Sequence, residues 1–407
     1  MKTKTGLFLL AGLFAALPGM AQKKNFTYKF YGQVRGFLFY NSRANTENVD
    51  GLFHLYPKDI SPDADGNDLN ATTNSSFYMF YSRLGINVSG PRVGKATTTA
   101  CLEADFRGSG STFAVLRMRQ AWVGLDWGKS ALLIGQTWHP LYGDVSPQML
   151  NLSTGAPFHS FGRCPMVRYR YTNGKWRLTA AALWQLQYLS TGPAGKSEEY
   201  IKHSGVPEFY AGVDFRPQNW TIGVGAEVLS IVPRIKSEVE GKTYKVSERV
   251  TSASVEAHAR YEAKDWKLSM RTMLASNMAH LSMLGGYGVT NTDSRTGEQS
   301  YSPYRYSTTW VNFVYGHRWQ PGVFVGYLKN LGAGSDIVGP TYGIGLDVDQ
   351  LVTTNVQLSY VLPHWKVGVE YSPSVAWYAD ATSPGGRASS SHSVTNHRLL
   401  AAVMYMF

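Results

Sequence analysis

Apolar and polar residues alternate along much of this chain. Between residues 365 and 371 every second residue is apolar, and the same alternation runs from 176 to 187 and from 220 to 228. In each of these segments the apolar face begins with a tryptophan. A period of two is typical of a β-strand with one buried face. The pattern therefore predicts an all-β protein.

The alternation predicts sixteen strands, joined by connections that are long and short in turn. The predicted ranges are 28–40, 77–90, 95–107, 113–126, 130–138, 164–172, 175–188, 207–217, 219–231, 248–263, 265–278, 307–319, 322–331, 350–362, 365–379 and 392–407. The short turns are placed at 91–94, 173–174, 216–218, 263–264, 320–321 and 363–364. Alternating loop lengths are typical of outer-membrane barrels. We therefore expect a transmembrane antiparallel up-and-down β-barrel of about 16 strands, filling residues 22–407 without a separate plug domain.

The beginning of the chain has the pattern of an export signal. Lys2 and Lys4 precede an apolar run over 6–17, followed by small residues at Gly19 and Ala21. The run is shorter than the roughly 18 to 20 residues needed to span a bilayer, which disfavours the alternative of a membrane anchor. Residues 1–21 are predicted to be a signal peptide. The predicted location is the outer membrane of a Gram-negative bacterium, in contact with lipid and lipopolysaccharide.

The last strand ends in alternating apolar residues, and the chain finishes on Phe407. This end resembles the targeting strand of outer-membrane barrels. The resemblance implies that Tyr405 and Phe407 are the signal that the barrel assembly machinery recognises. An ordinary edge strand that happens to end on Phe is the alternative.

Composition excludes several classes of protein. Charged residues are only 16% and aromatics 13%, and after residue 17 no apolar run approaches the roughly 18 residues of a transmembrane helix. The formal charge of +11 comes without a nucleic-acid-binding motif, so no nucleic acid partner is predicted. Ten histidines lie scattered without zinc-binding spacing, so neither a metal nor a cofactor is predicted. The pairing of Cys101 with Cys164 stays open, as does calcium binding in the acidic loop 63–68.

Arginines concentrate on the polar faces of the predicted strands. A charge facing lipid near the midplane would cost roughly 2 to 4 kcal/mol, so these side chains are expected to point inward. Pairing across a tight loop at 108–111 would bring Glu103 near Arg117. Such a lumen could carry a transverse field that draws anions, or it could be a salt-bridged wall that only stays hydrated. The predicted pore-lining residues are Arg35, Arg83, Glu103, Asp105, Arg117, Arg119, Gln136, Arg168 and Arg170.

Two motifs carry a family resemblance. Residues 117–122 read RMRQAW, and after one short turn residues 135–138 read GQTW. Together, over roughly 113–145, they resemble the DcaP-like trimeric porins. The resemblance implies a homotrimer, a long loop 139–163 folded into the pore, and passage of small anionic solutes. His139 and Pro140 depart from the family pattern, which has small polar residues and a Phe there.

These observations predict a passive diffusion channel for small hydrophilic solutes, with a preference for anions and no catalysis. One alternative is a surface-displayed barrel with a closed lumen, whose long loops 41–76 and 279–306 bind a partner. Another is a hydrolase embedded in the barrel, with Ser, His and Asn converging on the outer wall without a sequence motif.

Overall fold

The computed structural model describes residues 26–48, 53–107 and 115–407. The predicted signal peptide and the predicted tight loop at 108–111 lie outside these residues. Sixteen strands form one closed sheet: β1 Thr27–Asn41, β2 Arg83–Val93, β3 Ala96–Arg107, β4 Val115–Asp126, β5 Ser130–Trp138, β6 Arg163–Asn173, β7 Trp176–Leu183, β8 Glu208–Phe215, β9 Trp220–Ile231, β10 Val250–Glu262, β11 Trp266–Ser276, β12 Gln299–Tyr315, β13 Trp319–Ala333, β14 Val348–Leu362, β15 Trp365–Thr382 and β16 Ala388–Met406. Each strand pairs antiparallel with the next, so the predicted fold is confirmed.

The barrel closes where the first strand meets the last. β1 pairs with β16 from Gln33 opposite Met406 to Asn41 opposite Arg398. Beyond this register, the Gly32 amide donates to the carbonyl of Phe407 at 2.9 Å, and the Phe407 amide donates back at 3.1 Å. A Cβ atom at Gly32 would lie 2.6 Å from the Phe407 ring, so only glycine fits there. The seam therefore depends on both chain ends meeting closely.

Shorter strands and helices lie within the long connections. The strands are Asn45–Asn48, Phe53–Pro57, Asn74–Tyr78, Thr191–Gly192, Gly195–Lys196, Lys236–Val239, Lys242–Lys245, Gly285–Thr292 and Thr341–Ile344. Within residues 26–48, 53–107 and 115–407, one helix, α1, spans Glu199–Ser204, and a 3₁₀ turn spans Ala279–Leu281. None of the helices in the described part of the chain is long and apolar enough to cross a membrane.

Several predicted strand boundaries are wrong, and the largest error is in the twelfth strand, which begins at Gln299 rather than 307. The second strand begins at Arg83 rather than 77, because Asn74–Tyr78 pairs separately with the far half of β1. The seventh ends at Leu183 rather than 188, where the chain leaves the barrel wall. The predicted turn at 320–321 lies inside β13, and the actual turn spans 316–318. Trp319 begins β13 because its ring packs on Tyr360 at the rim, with 4.6 Å between ring centroids.

Aromatic residues form a chain of contacts along the end of the barrel that carries the short turns. Five of the seven strands after such turns, β7, β9, β11, β13 and β15, begin with tryptophan, and its ring contacts an aromatic near the end of a neighbouring strand. Examples are Trp220 with Tyr261 at 4.8 Å and Trp365 with Tyr405 at 4.9 Å between centroids. Such girdles mark the membrane interface of outer-membrane barrels. The outward positions between the two rims are apolar and exposed, as the sequence pattern predicted.

The interior beside β1 and β16 contains a large apolar cluster as well as polar side chains. Phe37 and Leu400 point inward from these strands and are almost completely buried. They belong to a cluster that also contains Leu150 and Phe158 from the connection between β5 and β6. The short strand Phe53–Pro57 is buried along its whole length and joins the same cluster. Chain segments from the long loops therefore fill this side of the barrel.

Candidate functional site: the barrel interior

Residues 139–162, between β5 and β6, run through the barrel and bond to inward side chains of distant strands. The Gln148 amide donates to Asn312 Oδ1 on β12 at 2.8 Å. The Leu150 amide donates to Gln357 Oε1 on β14 at 2.7 Å, and to Glu370 Oε2 on β15 at 3.0 Å. We call this segment the inner loop. Its hydrogen bonds reach the wall opposite the strands from which it starts.

The motif before the inner loop fixes its starting point. Gly135 has a φ of +130°, and a Cβ there would lie 2.3 Å from the carbonyl of Ala121, so glycine allows β5 to approach β4 closely. Gln136 donates to the carbonyls of Met118 and Arg119, both at 3.2 Å. Its side chain is buried against backbone, so the prediction that Gln136 lines the pore is not supported by its position.

The arginines of β4 are paired with carboxylates of β3. Arg117 donates to both oxygens of Asp105, at 2.8 and 2.7 Å. Arg119 donates to Glu103 at 2.7 Å and to Asp105 at 2.7 Å. We call these four residues the paired cluster. All four are buried, with Arg117 only 6% and Arg119 only 1% exposed.

The predicted contact between Glu103 and Arg117 is wrong, because β3 and β4 pair in a different register. Asp105 lies opposite Arg117, and the register shifts between Glu103 and Ala104. The pairing of Asp105 with Arg117 differs from the predicted register by two residues, and Glu103 lies beside Arg119 instead. A shift of two residues keeps every side chain on the same face, so the alternation could not reveal it.

Arg35 and Arg83 lie near this cluster and are half-buried. Arg35 donates to the Leu150 carbonyl at 2.7 Å, which ties β1 to the inner loop. The Arg83 guanidinium lies 3.9 Å from a Glu103 oxygen and keeps 23% of its side chain exposed. Both side chains therefore stay partly accessible, and their positive charges act on the lumen.

A second group of arginines surrounds Asp144 of the inner loop. Arg177 donates to Asp144 Oδ2 at 2.5 Å, and Arg216 donates to the same oxygen. Arg260 donates to the Asp144 carbonyl at 2.8 Å, and the Arg170 guanidinium lies 3.9 Å from the carboxylate. Asp214 pairs with Arg177, and Arg168 lies alongside Arg170 on the inner face of β6. We call these seven residues, Asp144, Asp214, Arg168, Arg170, Arg177, Arg216 and Arg260, the Asp144 cluster.

The Asp144 cluster carries excess positive charge. It holds five arginines and two carboxylates, a formal balance of +3. Burial alone would raise the pKa of Asp144, but the neighbouring Arg177 and Arg170 hold that pKa well below its usual range. Arg170 keeps 27% of its side chain exposed, and Asp144 keeps 36%. The cluster is therefore charged, cationic and open to solvent.

The sequence analysis did not identify Asp144 or Arg216 as site residues. Asp144 is the only acidic residue between Trp138 and Arg163, and no lysine or arginine lies there either. A lone carboxylate in an otherwise uncharged loop next to arginine-rich strands is a signal that could have indicated it. Arg216 was assigned to a turn, where its long side chain still reaches the lumen.

A third arginine environment is aromatic, and among the described residues no carboxylate contacts its arginine. Arg163, at the end of the inner loop, is fully buried, and its guanidinium carbon lies 4.8 Å from the ring centroid of Trp138. It also contacts the rings of Phe161 and Tyr188, and donates to the Tyr188 hydroxyl at 3.1 Å. Cation–π contacts of this kind stabilise a desolvated guanidinium by up to about 2 kcal/mol. They anchor the returning end of the inner loop.

Two questions that the sequence left open concern cysteines and calcium. Cys101 on β3 and Cys164 on β6 are both free thiols. Three strand spacings of roughly 4.8 Å separate them, well beyond the 7 Å limit for a disulfide. In the loop 63–68, Asp63 accepts the amides of Asp65 and Asn67 at 2.9 and 2.8 Å, and Asp68 pairs with Arg43 at 2.6 Å. These carboxylates have protein partners that fix the loop.

Comparison with solved structures finds the same architecture over almost the whole chain. No protein-family model matches the sequence, and no curated protein matches it. The outer membrane channel DcaP of Acinetobacter baumannii is 16% identical, with a TM-score of 0.65, over 95% of this chain and 98% of that one. The trimer form of OmpT of Vibrio cholerae is 12% identical, with a TM-score of 0.55, over 94% and 100%. The anion-selective porin from Comamonas acidovorans is 10% identical, with a TM-score of 0.53, over 94% and 100%.

These likenesses define a class by its fold: the chain is a β-barrel of the type found in outer-membrane porins. Within that class it resembles the DcaP channel, the relation that the motifs in β4 and β5 indicated. At 16% identity or less, the likeness concerns the fold.

Proposed function

We propose that this protein is an outer-membrane porin, a passive diffusion channel that prefers small anions. The observation that carries the proposal is the Asp144 cluster, in which five arginines face two carboxylates and stay partly exposed. A concentration of positive charge in a confined lumen raises the local concentration of anions. Solutes with carboxylate or phosphate groups fit the paired donors of arginine.

The proposal includes the setting of the channel. The chain is exported by the signal peptide at 1–21, which is then removed. Tyr405 and Phe407 direct the barrel assembly machinery, and the barrel lies in the outer membrane among lipid and lipopolysaccharide. The trimer form of OmpT among the similar structures supports assembly as a homotrimer. Transport requires neither a cofactor nor a catalytic step.

One observation favours a second function. The apolar cluster inside the barrel contains residues from the inner loop and from Phe53–Pro57, and both segments occupy space that a wide channel would need. A barrel closed in this way would act through its long outer loops as a binding or structural protein. Conductance distinguishes the two functions.

The test is conductance in planar bilayers with purified protein. A trimeric porin gives stepwise openings in groups of three, and its reversal potential in a KCl gradient indicates an anion preference. Replacing Arg168 and Arg170 together by Glu changes the balance of the Asp144 cluster from +3 to −1 and is expected to reverse the preference. Arg295→Glu, at an exposed loop position, is the matched control and should leave it unchanged.

Two outcomes would contradict the proposal. A complete absence of openings would support the closed barrel. Openings with cation preference in the unaltered protein would mean that the arginines do not control the permeating ions.

A further inference from the structure

A second group of charged side chains is buried in the barrel wall, near the ends of β8 and β9 that carry the long loops. Glu208 is the first residue of β8, and Glu227 lies on the inner face of β9, opposite Tyr210. His280 comes from the 3₁₀ turn Ala279–Leu281, which follows β11. One potential ligand atom from each of the three lies within 4.8 Å of the others. The three residues are 1 to 3% exposed.

This group lacks the partners that buried charges normally have. In the described part of the chain, both Glu227 oxygens and His280 Nδ1 lack hydrogen-bond partners, while His280 Nε2 lies 3.3 Å from Glu208 Oε2. Within the described ranges, no lysine or arginine forms a salt bridge with Glu208 or Glu227. Two neighbouring carboxylates removed from water are strongly unfavourable unless a cation or a proton compensates them. An unpartnered carboxylate aimed at a second carboxylate and an imidazole therefore requires a positive charge.

His139 orients one of these carboxylates through a hydrogen bond. Its Nδ1 accepts the Leu141 amide at 3.1 Å, so the proton of the neutral ring is on Nε2. That Nε2 lies 2.6 Å from Glu208 Oε1 and donates to it. Glu208 Oε2 is left facing His280 Nε2, at 3.3 Å. A hydrogen bond that orients a ligating carboxylate is a regular feature of metal sites.

From this arrangement we infer that Glu208, Glu227 and His280 bind a divalent transition-metal cation, with His139 as a positioning residue. Two carboxylates and one imidazole suit Zn²⁺ and Mn²⁺, and three protein ligands leave coordination positions for water. The sequence analysis predicted no metal, because the three ligands come from separate segments and form no spaced motif.

The ion would join the barrel wall to both ends of the inner loop. The Phe161 amide donates to the Leu281 carbonyl at 2.8 Å, directly beside His280. The His139 amide donates to the Gly162 carbonyl at 3.0 Å. A cation bound to β8, β9 and the 3₁₀ turn would therefore hold the point where the inner loop leaves the wall and returns to it. This role is independent of the permeating solute.

The test measures metal in tag-free, full-length protein. Protein is unfolded with a chelator and refolded with Zn²⁺ alone, with Mn²⁺ alone or without metal, and bound metal is counted by mass spectrometry after dialysis. We expect about one ion per chain in the unaltered protein. Glu227→Gln and His280→Ala should each hold at least tenfold less, and His139→Ala should weaken metal affinity about 10- to 100-fold. Glu238→Gln, at an exposed position away from the inner loop, should keep the full amount.

Refolding with Co²⁺ adds a readout that does not depend on variants, because bound Co²⁺ shows visible absorption bands that report its ligands. Heat modifiability in gel electrophoresis checks that each variant forms the barrel. The inference is overturned if refolded protein holds no metal, or if Glu227→Gln holds as much as the unaltered chain. A higher melting temperature for metal-free Glu227→Gln than for the metal-free unaltered protein would support the inference, because the amide removes one of two uncompensated carboxylates.

Discussion

The paired cluster and the Asp144 cluster use the same residue types with opposite results. In the paired cluster, two arginines meet two carboxylates in bidentate and shared contacts, and water is excluded. In the Asp144 cluster, five arginines meet two carboxylates and remain partly exposed. The number of arginines alone therefore does not determine the electric field in a lumen. What matters is how many of them have a carboxylate partner and how much solvent they reach.

The largest effect should follow from breaking the paired cluster. Arg119→Ala would leave Glu103 and Asp105 with less compensation in a dry environment, and we expect the free energy of unfolding to fall by about 3 to 5 kcal/mol. Urea unfolding in detergent, followed by tryptophan fluorescence, measures the change. Arg295→Ala, at an exposed position, should stay within about 0.5 kcal/mol of the unaltered protein. A small loss in Arg119→Ala would show that water reaches the cluster.

Compared with Arg119→Ala, the variant Asp144→Asn should change stability less and ion selectivity more. The substitution raises the balance of the Asp144 cluster from +3 to +4 and weakens contacts worth about 1.5 to 3 kcal/mol each. Anion preference, measured as a reversal potential, should therefore increase. Asp336→Asn removes an exposed carboxylate outside the barrel wall and is the control. An increase in conductance without a change in preference would mean that Asp144 only positions the inner loop.

Acid should loosen the inner loop through His159 rather than through Asp144. Burial, with Arg271 nearby, holds the pKa of His159 well below 6.5, so the packed loop keeps this ring neutral. A released loop would bind a proton below about pH 6.5, so packing is fully stable above that pH and weakens by about 1.4 kcal/mol per unit below it. Asp144 stays ionised throughout this range. Fluctuations in open-channel current should increase from pH 7 to pH 5.

The variant His159→Gln distinguishes this cause from others, because it removes the titrating ring and should remove most of the pH response. His54, which is buried and whose pKa is likewise lowered by burial, accounts for any remainder. Unchanged fluctuations at pH 5 in the unaltered protein would contradict the prediction.

The smallest effect concerns salt. Raising KCl to about 1 M shortens the screening length to about 3 Å, so the exposed arginines of the Asp144 cluster should lose most of their influence on permeating ions. The stability of the buried paired cluster should hardly change over the same range. Parallel measurements of reversal potential and unfolding would compare the two clusters directly.

The barrel could be predicted from the sequence because its strands obey a simple physical rule. Outward residues face lipid, so positions such as Trp220 and Val224 are apolar, and most of the short turns are followed by a tryptophan at the rim. The predicted ranges failed where another constraint took precedence, as where Trp319 begins β13. The register of β3 against β4 also changed a predicted ion pair, because a shift of two residues leaves the alternation unchanged.

The interior was harder to predict because it is built by segments without a period. Asp144 reaches arginines on several strands, and its position depends on the path of the whole inner loop. The apolar run Phe53–Pro57 could equally have been exposed in a binding loop, and nothing in its composition indicates that it packs inside the barrel. Glu208, Glu227 and His280 come from three connections or strands, so only the closed barrel brings them together.

The seam between Gly32 and Phe407 has a consequence for the order of events in biogenesis. These residues are 375 positions apart, so the ring of strands stays incomplete until β16 has paired with β1. A chain that lacks only β16 would carry unpaired strand edges on β1 and β15, and such edges associate readily with other chains. For the proposed export, we expect an escort that covers these edges until β16 has paired.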